Sequence, residues 1–141
     1  MKVLVLCTGN SCRSKMAKGL LQSFDSSLIV HSAGTKPAAN VNEYAIKVMA
    51  EIGITIGLTK PKSVNVYLGE DWDYVITVCG SANEFCPIFY GKVNHRVHIG
   101  FDDPSLFTGT EEDILNEFRH VRDKLKLRLF KFYEENLKGK E

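Results

Sequence analysis

The sequence predicts a small doubly wound α/β domain, with a parallel sheet of about four strands flanked by helices and joined by right-handed crossovers. An apolar run of strand length, Lys2 to Leu6, leads straight into a short polar loop and then a helical pattern. Strand-like and helix-like stretches go on alternating after it. Tyr74 to Val78 is a continuous apolar run, as expected of a strand buried on both faces of a parallel sheet. The chain has 141 residues, so a single domain spanning residues 1–141 is expected, large enough to bury a core without metal or disulfide staples. No repeat, low-complexity tract or interdomain linker interrupts it.

Each element has its own reason. After the first strand, Met16, Ala17, Leu20, Leu21 and Phe24 recur at helical spacing and define a helix from about Cys12 to Phe24. Leu28 to Ala33 reads as a second strand closed by Gly34. Asn42 is a helix N-cap, with Ala45, Val48, Met49 and Ile52 on one face and a stop at Gly53. Residues 54–70 carry Gly57, Pro61 and Gly69 as breakers, with a short helix around Val64 to Leu68. Tyr74 to Val78 and Val93 to Ile99 are the later strands. The last helix starts near Thr110, with Glu111, Glu112 and Asp113 in its first turn. Its apolar face runs through Ile114, Phe118, Val121, Leu125, Leu129 and Phe132, which leaves Lys124, Lys131 and Lys138 as a solvated face.

Composition narrows the partners. A net charge of +1, from 18 basic and 17 acidic residues, provides no electrostatic footprint for nucleic acid and no polybasic membrane patch. A small molecule is the expected partner, and a monomer the expected state. Val3 to Cys7 is too short for a signal-peptide core, and no long apolar run follows, so a cytoplasmic location is expected.

The stretch Cys7 to Ser14 reads Cys-Thr-Gly-Asn-Ser-Cys-Arg-Ser. A tight loop between strand and helix can turn its amides inward, and the helix N-terminus adds partial positive charge at the same point, which suits tetrahedral oxyanions. Thr8, Gly9, Asn10, Ser11, Cys12, Arg13 and Ser14 form this candidate oxyanion loop. Gly9 permits close backbone approach, while Asn10 tolerates the left-handed region and its amide can brace the loop from within. Arg13 brings a planar fork matched to two oxyanion oxygens. Cys7, at the mouth, is the candidate nucleophile, since every surrounding charge favours thiolate over thiol. Ser14 can hydrogen-bond its sulfur. The Gly-Lys-Ser/Thr ending of the ATP-binding loop is absent.

Four cysteines, Cys7, Cys12, Cys79 and Cys86, point in a reducing compartment to redox chemistry or catalysis rather than a disulfide framework. Zinc is not expected: six residues separate Cys79 from Cys86, wider than zinc sites use, and His31, His95, His98 and His120 read as ordinary surface or core residues. No cofactor is expected either. Were Cys79 to Cys86 helical, both sulfurs would share a face but lie roughly 10.5 Å apart along the axis. A disulfide tolerates only about 4.4 to 6.8 Å between Cα atoms. Joining the pair would require the segment to unwind, and Gly80, Asn83 and Pro87 make it a weak helix. The alternative is that both are small buried hydrophobes. Asp102 and Asp103, before Pro104, are candidate proton donors to a leaving oxygen.

Together these residues resemble the low-molecular-weight tyrosine phosphatase superfamily, and within it the thioredoxin-coupled arsenate reductases. The matches are CTGNSCRS from Cys7, HSAG from His31, VITVC from Val75, Cys86-Pro87, GFDDP from Gly100 and FRHVRDKLK from Phe118. The Cys79 and Cys86 pair is particular to the reductases, whereas Ser105 and Leu106 stand where the phosphatases have two aromatics. The resemblance implies that Cys7 attacks arsenate held by the loop and Arg13, with Asp103 as the acid. It further implies that Cys79 and then Cys86 take over the sulfur chemistry, and that a thioredoxin-type reductant regenerates the enzyme. Cys12 has no part in that scheme. A phosphatase acting through a Cys7 phosphocysteine, with Cys79 and Cys86 as packing residues, is the alternative. Lys18 stands where relatives often carry an acidic residue of a monovalent cation site, which implies independence from potassium.

Overall fold

A computed structural model describes residues 1–79 and 88–139. Its elements follow the order β1 (Lys2–Cys7), α1 (Arg13–Phe24), β2 (Ile29–Gly34), α2 (Glu43–Ala50), β3 (Trp72–Thr77), β4 (Val93–His98) and α3 (Glu111–Phe132). Short 3-10 turns cover Val64–Tyr67 and Pro104–Leu106, and the chain widens into a π turn over Tyr133–Leu137 after α3. All pairings in the four-stranded sheet are parallel, and the strand order is β2-β1-β3-β4.

Local chemistry explains the boundaries. The Asn42 carboxamide oxygen accepts from the Tyr44 and Ala45 amides and so caps α2. Thr110 opens α3 with a reciprocal capping box to Asp113. Gly53 takes φ +79° after the last turn of α2, a conformation only glycine adopts cheaply. The expected turn near Val64 is present but tighter than an α-helix.

Alternation along β1 and within β3 from Tyr74 to Ile76 divides the buried strand residues between two faces, with Trp72 at the start of β3 joining the cluster of Val75. Val3, Val5, Cys7 and Ile76 pack against Met16, Leu20 and Leu21 of α1, Val48 and Met49 of α2, and Phe118, Leu125 and Leu129 of α3. Leu4, Leu6, Val75 and Trp72 form a second cluster with Val64, Tyr67 and Phe89. Both faces are therefore apolar, which is why β1 reads as a continuous run. Leu20 is fully buried, and its truncation to alanine is expected to cost about 2 to 5 kcal/mol.

Among the described residues, no helix is long and apolar enough to cross a membrane. The register aligns Cys7 with Gly34 and Leu6 with Thr77, so the carboxyl ends of β1, β2 and β3 finish at one edge of the domain. Ligands of open parallel α/β sheets bind at that edge.

Candidate active site

β1 carries Cys7 to the carboxyl edge of the sheet, and α1 begins at Arg13 immediately after the loop. The loop's conformation follows from the partners of its carbonyls. The oxygens of Cys7, Thr8, Gly9 and Ser11 accept hydrogen bonds from the amides of Thr35, Lys36, Ala38 and Asn42, at 2.8–3.3 Å. A trans peptide points its C=O and N–H in opposite directions. Anchoring those carbonyls in the segment after β2 therefore turns the amides of Thr8, Gly9, Asn10 and Cys12 to the other side. The Asn10 amide indeed donates to the Cys7 sulfur at 3.3 Å. Gly34 allows the loop to lie this close, since a Cβ there would come within 2.4 Å of the Thr8 carbonyl oxygen.

Asn10 adopts the left-handed backbone that asparagine tolerates, with φ +50°, and is fully buried. Its Oδ1 accepts from the Lys62 amide at 2.9 Å, which fixes the orientation of the carboxamide. Its Nδ2 then donates to Ser14 Oγ at 2.8 Å. Ser14 Oγ lies 2.9 Å from Cys7 Sγ, and toward a thiolate, which can only accept, the hydroxyl donates. The sulfur thus faces two donors, the Asn10 amide and the Ser14 hydroxyl.

Arg13 is 5% exposed, and its Nη1 donates to the Phe101 carbonyl at 3.0 Å. Its Nη2 lies 3.6 Å from Asp103 Oδ2. The other carboxylate oxygen, Oδ1, accepts from the Ser105 amide at 2.9 Å, the Ser105 hydroxyl at 2.7 Å and the Cys12 thiol at 3.7 Å. Asp103 is thereby turned into the loop, whereas Asp102 is exposed. Burial pushes the Cys12 thiol up to about 12, with the negative charge of Asp103 adding to the effect, so it stays protonated.

Cys79 follows β3, is buried, and shares the α-helical face's apolar cluster with Cys7, Cys12, Ile99 and Phe101. Cys86 lies outside the described residues, as does the rest of the segment expected to unwind. No group of three or more His, Cys, Asp or Glu side chains that could hold a metal occurs among the described residues. His98 accepts or donates to Thr77 Oγ1 at 2.7 Å, and His95 stacks on Tyr74.

Residues 2–141 match the family model described as low molecular weight phosphotyrosine protein phosphatase. The chain belongs to that family. A curated relative, the arsenate reductase of Shouchella clausii strain KSM-K16, is 41% identical over 133 residues, 94% of each chain. Among solved structures, an arsenate reductase in the phosphate binding state superposes with a TM-score of 0.79 at 28% identity, covering 95% of this chain and 97% of that one. A thioredoxin-dependent arsenate reductase of Corynebacterium glutamicum gives a TM-score of 0.58 at 26% identity, covering 93% of this chain and 62% of the other.

Two contributors had no signature in the sequence. The segment holding the loop carbonyls acts through the backbone of residues 35–42, and the Asn10 orientation rests on the Lys62 amide. The only hint was the demand that a buried loop's carbonyls find donors somewhere.

Proposed function

We propose that this protein reduces arsenate to arsenite through a three-cysteine relay regenerated by a thioredoxin-type dithiol. The observation that carries the reading is the Cys7 sulfur, held by the Asn10 amide and the Ser14 hydroxyl at the mouth of a loop whose Arg13 faces Asp103. The names of the relatives supply the oxyanion.

The Cys7 thiolate attacks arsenic, and the oxygen that leaves takes a proton from Asp103 and departs as water. Arg13 and the inward amides hold the remaining oxygens. The Cys79 thiolate next attacks the Cys7 sulfur. The sulfur–arsenic bond breaks, arsenic keeps the electron pair and leaves as arsenite, and a Cys7–Cys79 disulfide remains. Cys86 then attacks Cys79, releases the Cys7 thiolate and forms the Cys79–Cys86 disulfide, which an external dithiol reduces. The burial of Cys79 in one apolar cluster with Cys7 supports the second step. A chain confined to the cytoplasm would keep all these thiols reduced at rest.

Arsenate-dependent NADPH oxidation, coupled through thioredoxin and thioredoxin reductase, tests the reading. Cys7→Ser, Cys79→Ser and Cys86→Ser are each expected to abolish turnover, with aryl phosphatase activity kept in the last two. Phosphatase activity in a wild type that does not turn over arsenate would instead establish the phosphocysteine reaction. Rates are expected to be equal in potassium and sodium at fixed ionic strength, and a severalfold rise with potassium would refute the independence inferred from Lys18.

A further inference from the structure

Beside the first turns of α1 lies a cavity of about 490 Å³, lined by Lys15, Lys18, Gln22 and Thr59, with Ile54 and Ile56 on one wall. Lys15 is only 4% exposed. Its ammonium donates to Thr59 Oγ1 at 2.9 Å and to the Lys60 carbonyl at 3.4 Å, both neutral acceptors. Neither the Lys18 nor the Lys62 side chain makes an ion pair or hydrogen bond among the described residues. Burial holds Lys15 down to about 8, and the Lys18 and Lys62 charges add to the effect. Lys18 is lowered by burial and then by Lys62. Three ammonium groups therefore act on one another across this region. Glu70, the acid that acts on neighbouring His31, is itself paired with Lys2.

A buried cation without a carboxylate is costly unless an anion joins it. From this arrangement we propose that the cavity beside α1 binds a small phosphate-class anion, separately from the Cys7 loop. Lysine ammonium groups are point charges on flexible stems and suit a compact dianion approached from several sides. The apolar wall of Ile54 and Ile56 leaves room for the organic part of a phosphate monoester, so free phosphate and an ester share the chemistry.

Calorimetric titration with inorganic phosphate tests the site without reference to turnover. The wild type is expected to bind two phosphates and Lys18→Met one. Arg13→Met, which disables the loop, should keep one site, and adding Lys18→Met to it should weaken that site about tenfold or more. Circular dichroism confirms that each variant is folded. Repeating the titration with phenyl phosphate separates the sources: tighter binding than phosphate in Arg13→Met assigns the site to esters, and equal or weaker binding assigns it to the free anion. A single wild-type site that Lys18→Met leaves unchanged, or the absence of any site in Arg13→Met, overturns the proposal.

Discussion

The carboxamide of Asn10 holds the hydroxyl of Ser14 beside the Cys7 sulfur. Its Oδ1 is held by the Lys62 amide, so its Nδ2 faces Ser14 Oγ, 2.8 Å away, and the serine hydroxyl, 2.9 Å from the sulfur, can donate to a Cys7 thiolate. Ser14→Ala removes one of two donors from the sulfur. Hydrogen bonds to charged groups are worth about 1.5 to 3 kcal/mol, so Cys7 alkylation by iodoacetamide at pH 7 is expected to slow by about tenfold or more. Asn10→Ala should slow it at least as much, because the serine then loses the partner that holds it beside the sulfur. Unchanged rates in both variants would refute this support of the sulfur.

Asp103 and Asp102 are adjacent in sequence but not in environment. Replacing Asp103 with Asn is expected to slow the arsenate step by about 10² to 10⁴, the range of general acid catalysis. Asp102→Asn should change it little, because that side chain is exposed. Single-turnover kinetics distinguish the two, and equal small effects would remove the role from both.

Cys12 sits inside the loop but is held as a thiol, pushed to about 12 by burial and by Asp103. Mass mapping after brief alkylation at pH 8 is expected to find label on Cys7 and almost none on Cys12. Cys12→Ser should retain most of the activity.

Glu51 ties α2 to α3. Its carboxylate accepts from Arg119 at 2.8–3.1 Å and from Arg122 Nη1 at 2.8 Å. Hydrogen bonding from Arg119, and then from Arg122, holds it at about 2, against an ordinary 4.5. The unfolded chain binds this proton first as pH falls, so the stabilisation is complete above about 4.5 and disappears as pH drops through 2. Chemical denaturation between pH 5 and pH 2 should therefore show a shallower loss of stability in Glu51→Gln than in the wild type. Parallel curves would refute the assignment.

Much of this was legible in the chain because it resides in local chemistry. Asn10 takes the left-handed backbone that its residue type tolerates, Asn42 caps the helix it was expected to introduce, the last helix starts beside Thr110 as expected, and β1 leads into the loop as its apolar run required. Unread were contacts made by backbone across long separations. The Phe101 carbonyl that holds Arg13 and the amides that anchor the loop have no side-chain signature, since any residue type brings the same N–H and C=O. Asp103 could not be separated from Asp102 in the sequence, because only the turn through Ser105 decides which carboxylate faces inward.

β1 lies in the middle of the sheet, bonded to β2 on one side and β3 on the other, with Val3, Leu4 and Val5 fully buried. Amides in such a strand exchange with deuterium only when the whole sheet opens. The Cys7 sulfur, the proposed nucleophile, is thus mounted at the end of a central buried strand, while Asp103 approaches from a turn at the rim. In the proposed cycle, any conformational adjustment is expected of the loops around Cys7, with the cysteine itself as the stationary reference against which they move.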